Sequence, residues 1–261
     1  MPSALQLLNN LITVRIIMPK QDIVSEGESN LLLQTDKNTA DRFVAFLDIM
    51  GFKERVARTE HSQLLTQLTN FNRAITGYIG KYQATEIQLA QFSDSIVLFS
   101  NDTTLNSLET LADVTRGIMQ TAIKLQIPIK GAIAQGQITC DIPKQLFFGQ
   151  ALIDAYLLEE NIHYYGILVH HTAENLVTEL NNKNNIFKDI KAPLKSGKIS
   201  HYELSWYIDD DSQNIEEKIN EMENALKAIR QTVSDAPRKY IDNTLDVINE
   251  YYRKENVIQP Q

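Results

Sequence analysis

Hydrophobic and polar positions divide the chain into a strongly patterned body and plainer ends. From Asp41, the run RFVAFLDIMGF is almost continuously apolar and stops at Gly51, as expected of a buried strand with a sharp exit. Leu64, Leu68, Phe71, Ile75 and Tyr78 then recur at spacings of four and three, one face of a long helix. EIQLAQFSDSIVLFS reads as a hairpin in which Ser93-Asp94-Ser95, a turn-forming set, joins two runs of β-forming residues. Leu105, Leu108, Leu111, Ala112, Ile118 and Met119 mark a second amphipathic helix. IPIKGAIAQGQIT is a further strand region kinked at Gly131 and Gly136, DIPKQ turns into LFFG, and QALIDAYLLEEN is a short helix. GILVHH predicts a strand, TAENLVTEL a helix and KISHYELSWYI a closing strand. The order β-α-β-β-α-β-α-β predicts an α+β sandwich over residues 41–210, with helices covering one face of a mostly antiparallel sheet.

The ends read differently. Residues 1–40 form an N-terminal extension, a short apolar segment followed by the polar, turn-rich QDIVSEGESNLLLQTDKNTAD, and Met18 offers an alternative start. In residues 211–261, Ile215, Ile219, Met222, Leu226, Ile229 and Val233 follow a 4-3-4-3-4 spacing. Ile241, Leu245, Ile248 and Tyr252 repeat the rhythm after Pro237. Such a narrow seam suits two helices packing back on the domain, or a dimerisation arm that meets a partner helix. No internal repeat or low-complexity tract interrupts the chain.

Composition narrows the class. With 261 residues, 43% of them hydrophobic, the chain can fill one large domain with appended helices. A formal charge of −8 with no offsetting Lys/Arg stripe argues against a nucleic-acid partner. Cys140 is the sole cysteine, which excludes an internal disulfide and a cysteine-rich zinc site and suits a reducing cytosol. MPSALQLLNNLITVRIIMPK has no basic residue ahead of its apolar run and is broken by Asn9 and Asn10, a poor signal peptide. No stretch approaches the roughly 18 apolar residues of a membrane span. A soluble, cytoplasmic protein with no membrane partner is the expectation.

Two acids then stand out. Asp48 sits inside an apolar strand run, a costly position unless a cation or donors meet it. Asp94 occupies the hairpin turn, where an acid can be a turn-former and nothing more. If the first strand and the hairpin are sheet neighbours, the two carboxylates converge at one edge. They would then raise one another's pKa or share metal ions. Magnesium fits, because it takes oxygen ligands and needs few from protein when a polyphosphate supplies the rest.

FLDIMGFK, FSDSIVLFS, IKGAIAQGQI and FFGQALIDAYLLEE together resemble the catalytic domain of class III nucleotidyl cyclases, an α+β sandwich with a ferredoxin-like core. The likeness is nearest to a bacterial branch that includes pyrimidine cyclases of antiphage defence. It runs from about Arg42 to Trp206, and the helical tail resembles that branch as well. The resemblance implies that Asp48 and Asp94 hold two divalent ions, Mg²⁺ or Mn²⁺, with the Ile49 carbonyl as a further ligand. It also implies that Met50, Gly51 and Phe52 offer amides to a triphosphate. Lys53 follows that loop, Lys195 and Lys198 resemble the family's lysine-containing segment, and Lys130 stands where the branch often has Arg. Each of these four is also readable as an ordinary surface lysine. The implied reaction is attack of a ribose 3′-hydroxyl on the α-phosphate of the same nucleoside triphosphate, by two-metal catalysis, in a homodimer whose sites form between chains. The cyclic product would act on a separate effector.

The chain departs from the purine-specific pattern at four places. Ile153 and Leu157 occupy the positions of the family's transition-state Asn and Arg, and neither can donate a hydrogen bond. Losing one such donor commonly costs on the order of 10²–10³ in rate. Ala90 and Leu146 stand where purine-reading residues are expected. An active pyrimidine cyclase and a weakly active or inactive cyclase-like domain that binds a nucleotide or a protein both fit this pattern. His170 and His171, adjacent in a strand, should point to opposite faces and so share no metal. His163 and His201 lack partners at ligand spacing, and Asp209-Asp210-Asp211 reads as a solvated linker.

Overall fold

The apolar run beginning near Asp41 becomes strand β1 (Thr39–Ile49), long enough to pair on both sides. In the computed structural model, which describes residues 38–82, 86–182, 184–207 and 215–253, β1 lies between β3 (Ser95–Ser100) and β4 (Ile129–Asp141). It is antiparallel to both. β2 (Ile87–Phe92) extends the sheet outward from β3 through the expected hairpin. On the other side, β6 (Ile167–Val169) runs parallel to β4, and then come β8 (Gly197–Leu204) and β7 (Phe187–Leu194). A short strand, β5 (Leu146–Gly149), folds back onto the far half of β4. The helices, in chain order, are α1 (Phe52–Arg58), α2 (His61–Ile79), α3 (Leu105–Lys124), α4 (Gln150–Asn161), α5 (Glu174–Asn181), α6 (Ile215–Thr232) and α7 (Ala236–Val247). A π-helical turn, Ile248–Arg253, follows. The result is the expected α+β sandwich.

Alternate residues of β1 point to opposite faces of the sheet. Phe43, Ala45, Leu47 and Ile49 enter the main core, where they join Phe71 and Ile75 of α2 and Leu108, Leu111, Ile118 and Met119 of α3. Arg42, Val44, Phe46 and Asp48 face the other way, where helical cover was not expected. There α4 and β5 form a thinner second layer: Tyr156 meets Phe46 edge-on at 5.5 Å, and Phe147 stacks on Phe99 at 5.5 Å. Helices therefore lie on both faces, and α4 is the one that matters for Asp48.

The C-terminal seam is used within the chain. Ile219, Met222, Leu226 and Ile229 of α6, with Ile241 and Val247 of α7 and then Ile248 and Tyr252, belong to the same buried cluster as β1. Burying one such side chain is worth about 1.5–3 kcal/mol. Polar contacts fix the docking: the Tyr165 amide donates to Thr244 Oγ1 at 2.8 Å, and Asn243 Nδ2 donates to the His163 carbonyl at 2.7 Å. Packing back, rather than presenting the seam to a partner helix, is the arrangement realised.

Three elements escape the hydrophobic pattern. β7, FKDIKAPL, alternates buried and polar positions and carries Pro193, features of an edge strand that weaken the strand signal. β5 is only four residues long, and α1 buries none of its side chains. The extension read at residues 1–40 falls almost wholly on 1–37, and the linker acids Asp209, Asp210 and Asp211 fall on 208–214, both outside the described residues. Among the described residues no helix is long and apolar enough to cross a membrane.

Candidate functional site

The register of β1 with β3 sets Asp48 opposite Ser95, one residue from Asp94. The Ile49 amide donates to the Asp94 carbonyl at 2.9 Å, so the strand end and the hairpin turn are stitched together. Ser95 Oγ lies 3.5 Å from Asp48 Oδ1. The two acids singled out in the sequence do converge. Burial pushes the Asp48 carboxyl up to about 8, and the neighbouring charges of Glu159 and Asp94 add to this while Lys130 and Ser95 oppose it. A carboxyl so crowded by other acids is poorly stable as a bare anion and well suited to a cation.

After Asp48 the chain turns sharply. Gly51 takes φ 68° and hands β1 to α1, a left-handed conformation that L side chains adopt at a cost. A Cβ there would meet nothing within 4 Å, so the constraint is in the backbone and the space outside it is open. No side chain caps the α1 N-terminus, where Phe52 and Lys53 begin the helix, and Lys53 is exposed. Met50 departs from expectation: its amide donates to the Pro128 carbonyl at 2.8 Å and is not turned outward toward a phosphate.

The expected lysines separate into different environments. Lys130, on β4, is the direct cross-strand partner of Asp48 on β1, yet it is not a surface lysine at all. Its ammonium forms a buried ion pair with Glu159 Oε1 at 2.9 Å and donates to the Glu159 and Ile162 carbonyls at 2.6 and 3.2 Å. Those contacts replace the phosphate contact expected of it. Lys198 pairs with Glu250 at 3.2 Å on the surface. Lys195 lies at the tip of the β7–β8 hairpin, which returns to the end of α4: its amide donates to the Asn161 carbonyl at 2.8 Å. Its positive charge is felt at Glu159.

Glu159 is the site residue that sequence reading missed. It is buried on α4, and burial raises its carboxyl pKa against the opposing charge of Lys130. In LLEEN it looks like one of two ordinary helix-surface acids, and only the docking of α4 over β1 and β4 buries it. Farther up α4, Ile153 and Leu157 are each 43% exposed. Leu146 and Phe148 of β5 are exposed too, whereas Ala90 is buried on β2. His170 and His171 do not point apart. The strand ends at Val169, a 3-10 turn follows, and their rings come within 4.1 Å. His163 packs edge-on against Tyr240 at 4.5 Å. Among the described residues no three His, Cys, Asp or Glu side chains converge as a metal site. The Asp48–Asp94 pair supplies two carboxylates only, which suits an ion whose remaining oxygens come from substrate or water.

No family model matches the chain, and no curated protein does either. Solved structures do. The guanylyl cyclase domain of the RhoGC fusion protein from the aquatic fungus Blastocladiella emersonii, in a monomeric crystal structure of a double mutant, matches with a TM-score of 0.50 at 14% identity. The match covers 63% of this chain and 94% of that one. The guanylate cyclase domain of RhGC from Catenaria anguillulae, solved with GTP, matches at a TM-score of 0.49 and 13% identity, over 64% of this chain and 96% of that one. The adenylyl cyclase CyaB from P. aeruginosa matches at 0.46 and 17%, over 66% and 96%. At such identities the likeness is one of architecture: the chain has the fold of a nucleotidyl-cyclase catalytic domain.

Proposed function

We propose that this protein is a nucleotide cyclase that binds a nucleoside triphosphate, with a pyrimidine base favoured, and closes it to the 3′,5′-cyclic nucleotide with release of pyrophosphate. The observation that carries this reading is the convergence of Asp48 and Asp94 at one end of a cyclase-type sheet, with Asp48 crowded by acids. The residues fit a pair of divalent ions, Mg²⁺ or Mn²⁺, held by both carboxylates with the Ile49 carbonyl as a further oxygen. When bound, such ions acidify the ribose 3′-hydroxyl and offset charge on the triphosphate.

The chain's own residues do the rest. Asp48 and Asp94 would fix where the triphosphate sits, and the space that a side chain would take at Gly51, three residues after Asp48, is open. The first-turn amides of α1 and the exposed Lys53 ammonium would meet the phosphates after the turn at Gly51, and Lys195 would approach from the β7–β8 hairpin. The 3′-oxygen forms its bond to the α-phosphorus as the bond to the pyrophosphate oxygen breaks, and the hydroxyl proton passes to water. Positioning and charge stabilisation supply most of the catalysis in such transfers. Ala90 and Leu146 offer no purine-reading polar group, which favours the smaller base. A homodimer would bring the exposed Ile153 and Leu157 of one copy toward the acids of the other. The cyclic product would be an antiphage signal read by a separate effector in the cytoplasm.

A second reading, a cyclase-like domain that binds a nucleotide or a protein partner with little turnover, is favoured by one observation. Ile153 and Leu157, the positions at which the resemblance puts the transition-state donors, lie exposed, and neither can donate. The test separates the two. Purified protein is incubated with ATP, GTP, CTP or UTP and Mn²⁺, and mass spectrometry looks for cyclic products, with Asp94→Asn alongside. One pyrimidine product that vanishes in the variant supports the cyclase. No product from any nucleotide, with folded protein, supports the binding domain. Full activity in Asp94→Asn removes the role given to that acid.

A further inference from the structure

Lys130 and Asp48 are direct cross-strand partners in the β1–β4 ladder. Side chains so placed share a sheet face with Cβ atoms about 4.5–5.5 Å apart. A lysine in that position has an obvious partner in Asp48, and closing on it would fill the acid's coordination sites with ammonium protons. The structure holds it elsewhere. The Lys130 ammonium donates to the carbonyls of Glu159 and Ile162 at 2.6 and 3.2 Å and forms an ion pair with Glu159 Oε1 at 2.9 Å. The two side chains are 5% and 4% exposed.

Stability alone explains the pair poorly. Buried ion pairs are frequently no better than apolar residues of the same volume, because both charges lose their hydration. The end of α4 already docks through Ile162, which is fully buried and bridges to Leu194. What the pair does achieve is a fixed place for a positive charge beside Asp48 without direct ligation of it.

We propose that Glu159 is a positioning residue that draws the Lys130 ammonium away from Asp48 and so keeps the Asp48 carboxylate free for a divalent cation. This rests on the two-acid site proposed above. Binding of Mn²⁺ to the full-length protein, followed by titration calorimetry without nucleotide, tests it in the wild type, Glu159→Gln, and the double variant Lys130→Met/Glu159→Gln. Circular dichroism first shows each to be folded at the assay temperature.

In Glu159→Gln the ammonium loses its anionic partner, and Asp48, its cross-strand partner, can take that place. Mn²⁺ affinity should fall roughly 10–100-fold, the usual effect of losing a group that orients a metal ligand. In the double variant the competing charge is gone as well, and affinity should return close to that of the wild type. A structural role would not produce this recovery, because the double variant has lost more contacts than the single one. Wild-type affinity in Glu159→Gln, or a double variant as weak as the single one, overturns the proposal while leaving the two-acid site standing. Absence of Mn²⁺ binding in the wild type overturns the two-acid site, and this proposal with it. Should Glu159→Gln not fold, Glu159→Asp, which keeps the charge but withdraws it by one methylene, takes its place with the same criteria.

Discussion

Tyr252, in the π-helical turn after α7, donates its hydroxyl to the Glu203 carboxylate 2.9 Å away, and Glu203 is fully buried on β8. Tyr207 adds a second contact at 3.4 Å. The neighbouring Tyr251 hydroxyl accepts the Lys191 amide at 3.0 Å, occupying a donor on edge strand β7 that would otherwise face outward. Tyr252 thus brings the end of the chain onto an acid of β8, with Tyr207 beside it. Burial pushes the Glu203 carboxyl up to about 8, against the hydrogen bonds from Tyr252, Tyr164 and Tyr207 and the charge of Lys188.

That acid gives a pH prediction. Between its ordinary value of 4.5 and about 8 the folded protein keeps the Glu203 proton while the unfolded chain has lost it. The unfolded state then binds fewer protons, so this group makes stability fall as pH rises through that window. Glu203→Gln cannot titrate. Its melting temperature should match the wild type near pH 5, exceed it increasingly up to about pH 8, and keep a constant lead above that. A gap that does not change with pH would contradict the assignment.

Tyr252→Phe removes a hydroxyl and leaves Glu203 short of one partner. A cost of about 1–3 kcal/mol is expected, as for other buried groups deprived of a hydrogen bond. Urea unfolding should show a lower midpoint with an unchanged slope, since the same surface is exposed on unfolding.

Glycines 51 and 131 should respond to alanine for different reasons. At Gly51 there is room for the methyl group but φ is 68°, so the expected cost is the conformational one of about 1–2 kcal/mol. At Gly131 the added Cβ would stand 2.6 Å from the Phe46 carbonyl oxygen and closer still to a Leu47 methyl. β1 and β4 would have to separate beside Asp48. Gly131→Ala should therefore be the more destabilising of the two in chemical denaturation.

Ile153 and Leu157, each 43% exposed, make a test of assembly that leaves the monomer untouched. Replacing both with Asp should change monomer stability by only about 0.5 kcal/mol or less per site. If α4 faces a second copy, light scattering should show a dimer for the wild type and a monomer for the variant at tens of micromolar. A wild-type monomer at that concentration would remove the shared-site arrangement.

Asp48 and Asp94 were legible because each breaks a local rule: one is charged within a buried strand, the other interrupts a hairpin made for burial. Their convergence followed once β1 and β3 were taken as neighbours. Lys130, Met50 and Lys198 meet partners that their own sequence neighbourhood does not announce, for a common physical reason. A donor's partner depends on which chain segment arrives beside it, and Glu159, Pro128 and Glu250 are all distant or unmarked in sequence. Glu159 itself reads as a solvated helix acid until α4 is known to lie over the second face of the sheet. β7 stayed hidden because an edge strand with Lys188, Lys191 and Pro193 has only half of a strand's usual pattern.

The burial of Ile241, Val247, Ile248 and Tyr252 in the same cluster as Phe43 carries a consequence for synthesis. A ribosome releases the chain from its N-terminal side, and β1 emerges before its last packing partner, Tyr252, by just over two hundred residues. A nascent chain halted before residue 236 would hold every strand described yet leave Glu203 without Tyr252 and the Tyr165 amide without Thr244. Prematurely terminated products are thereby marked by exposed apolar surface and unpaired polar groups, which is what chaperones and proteases recognise.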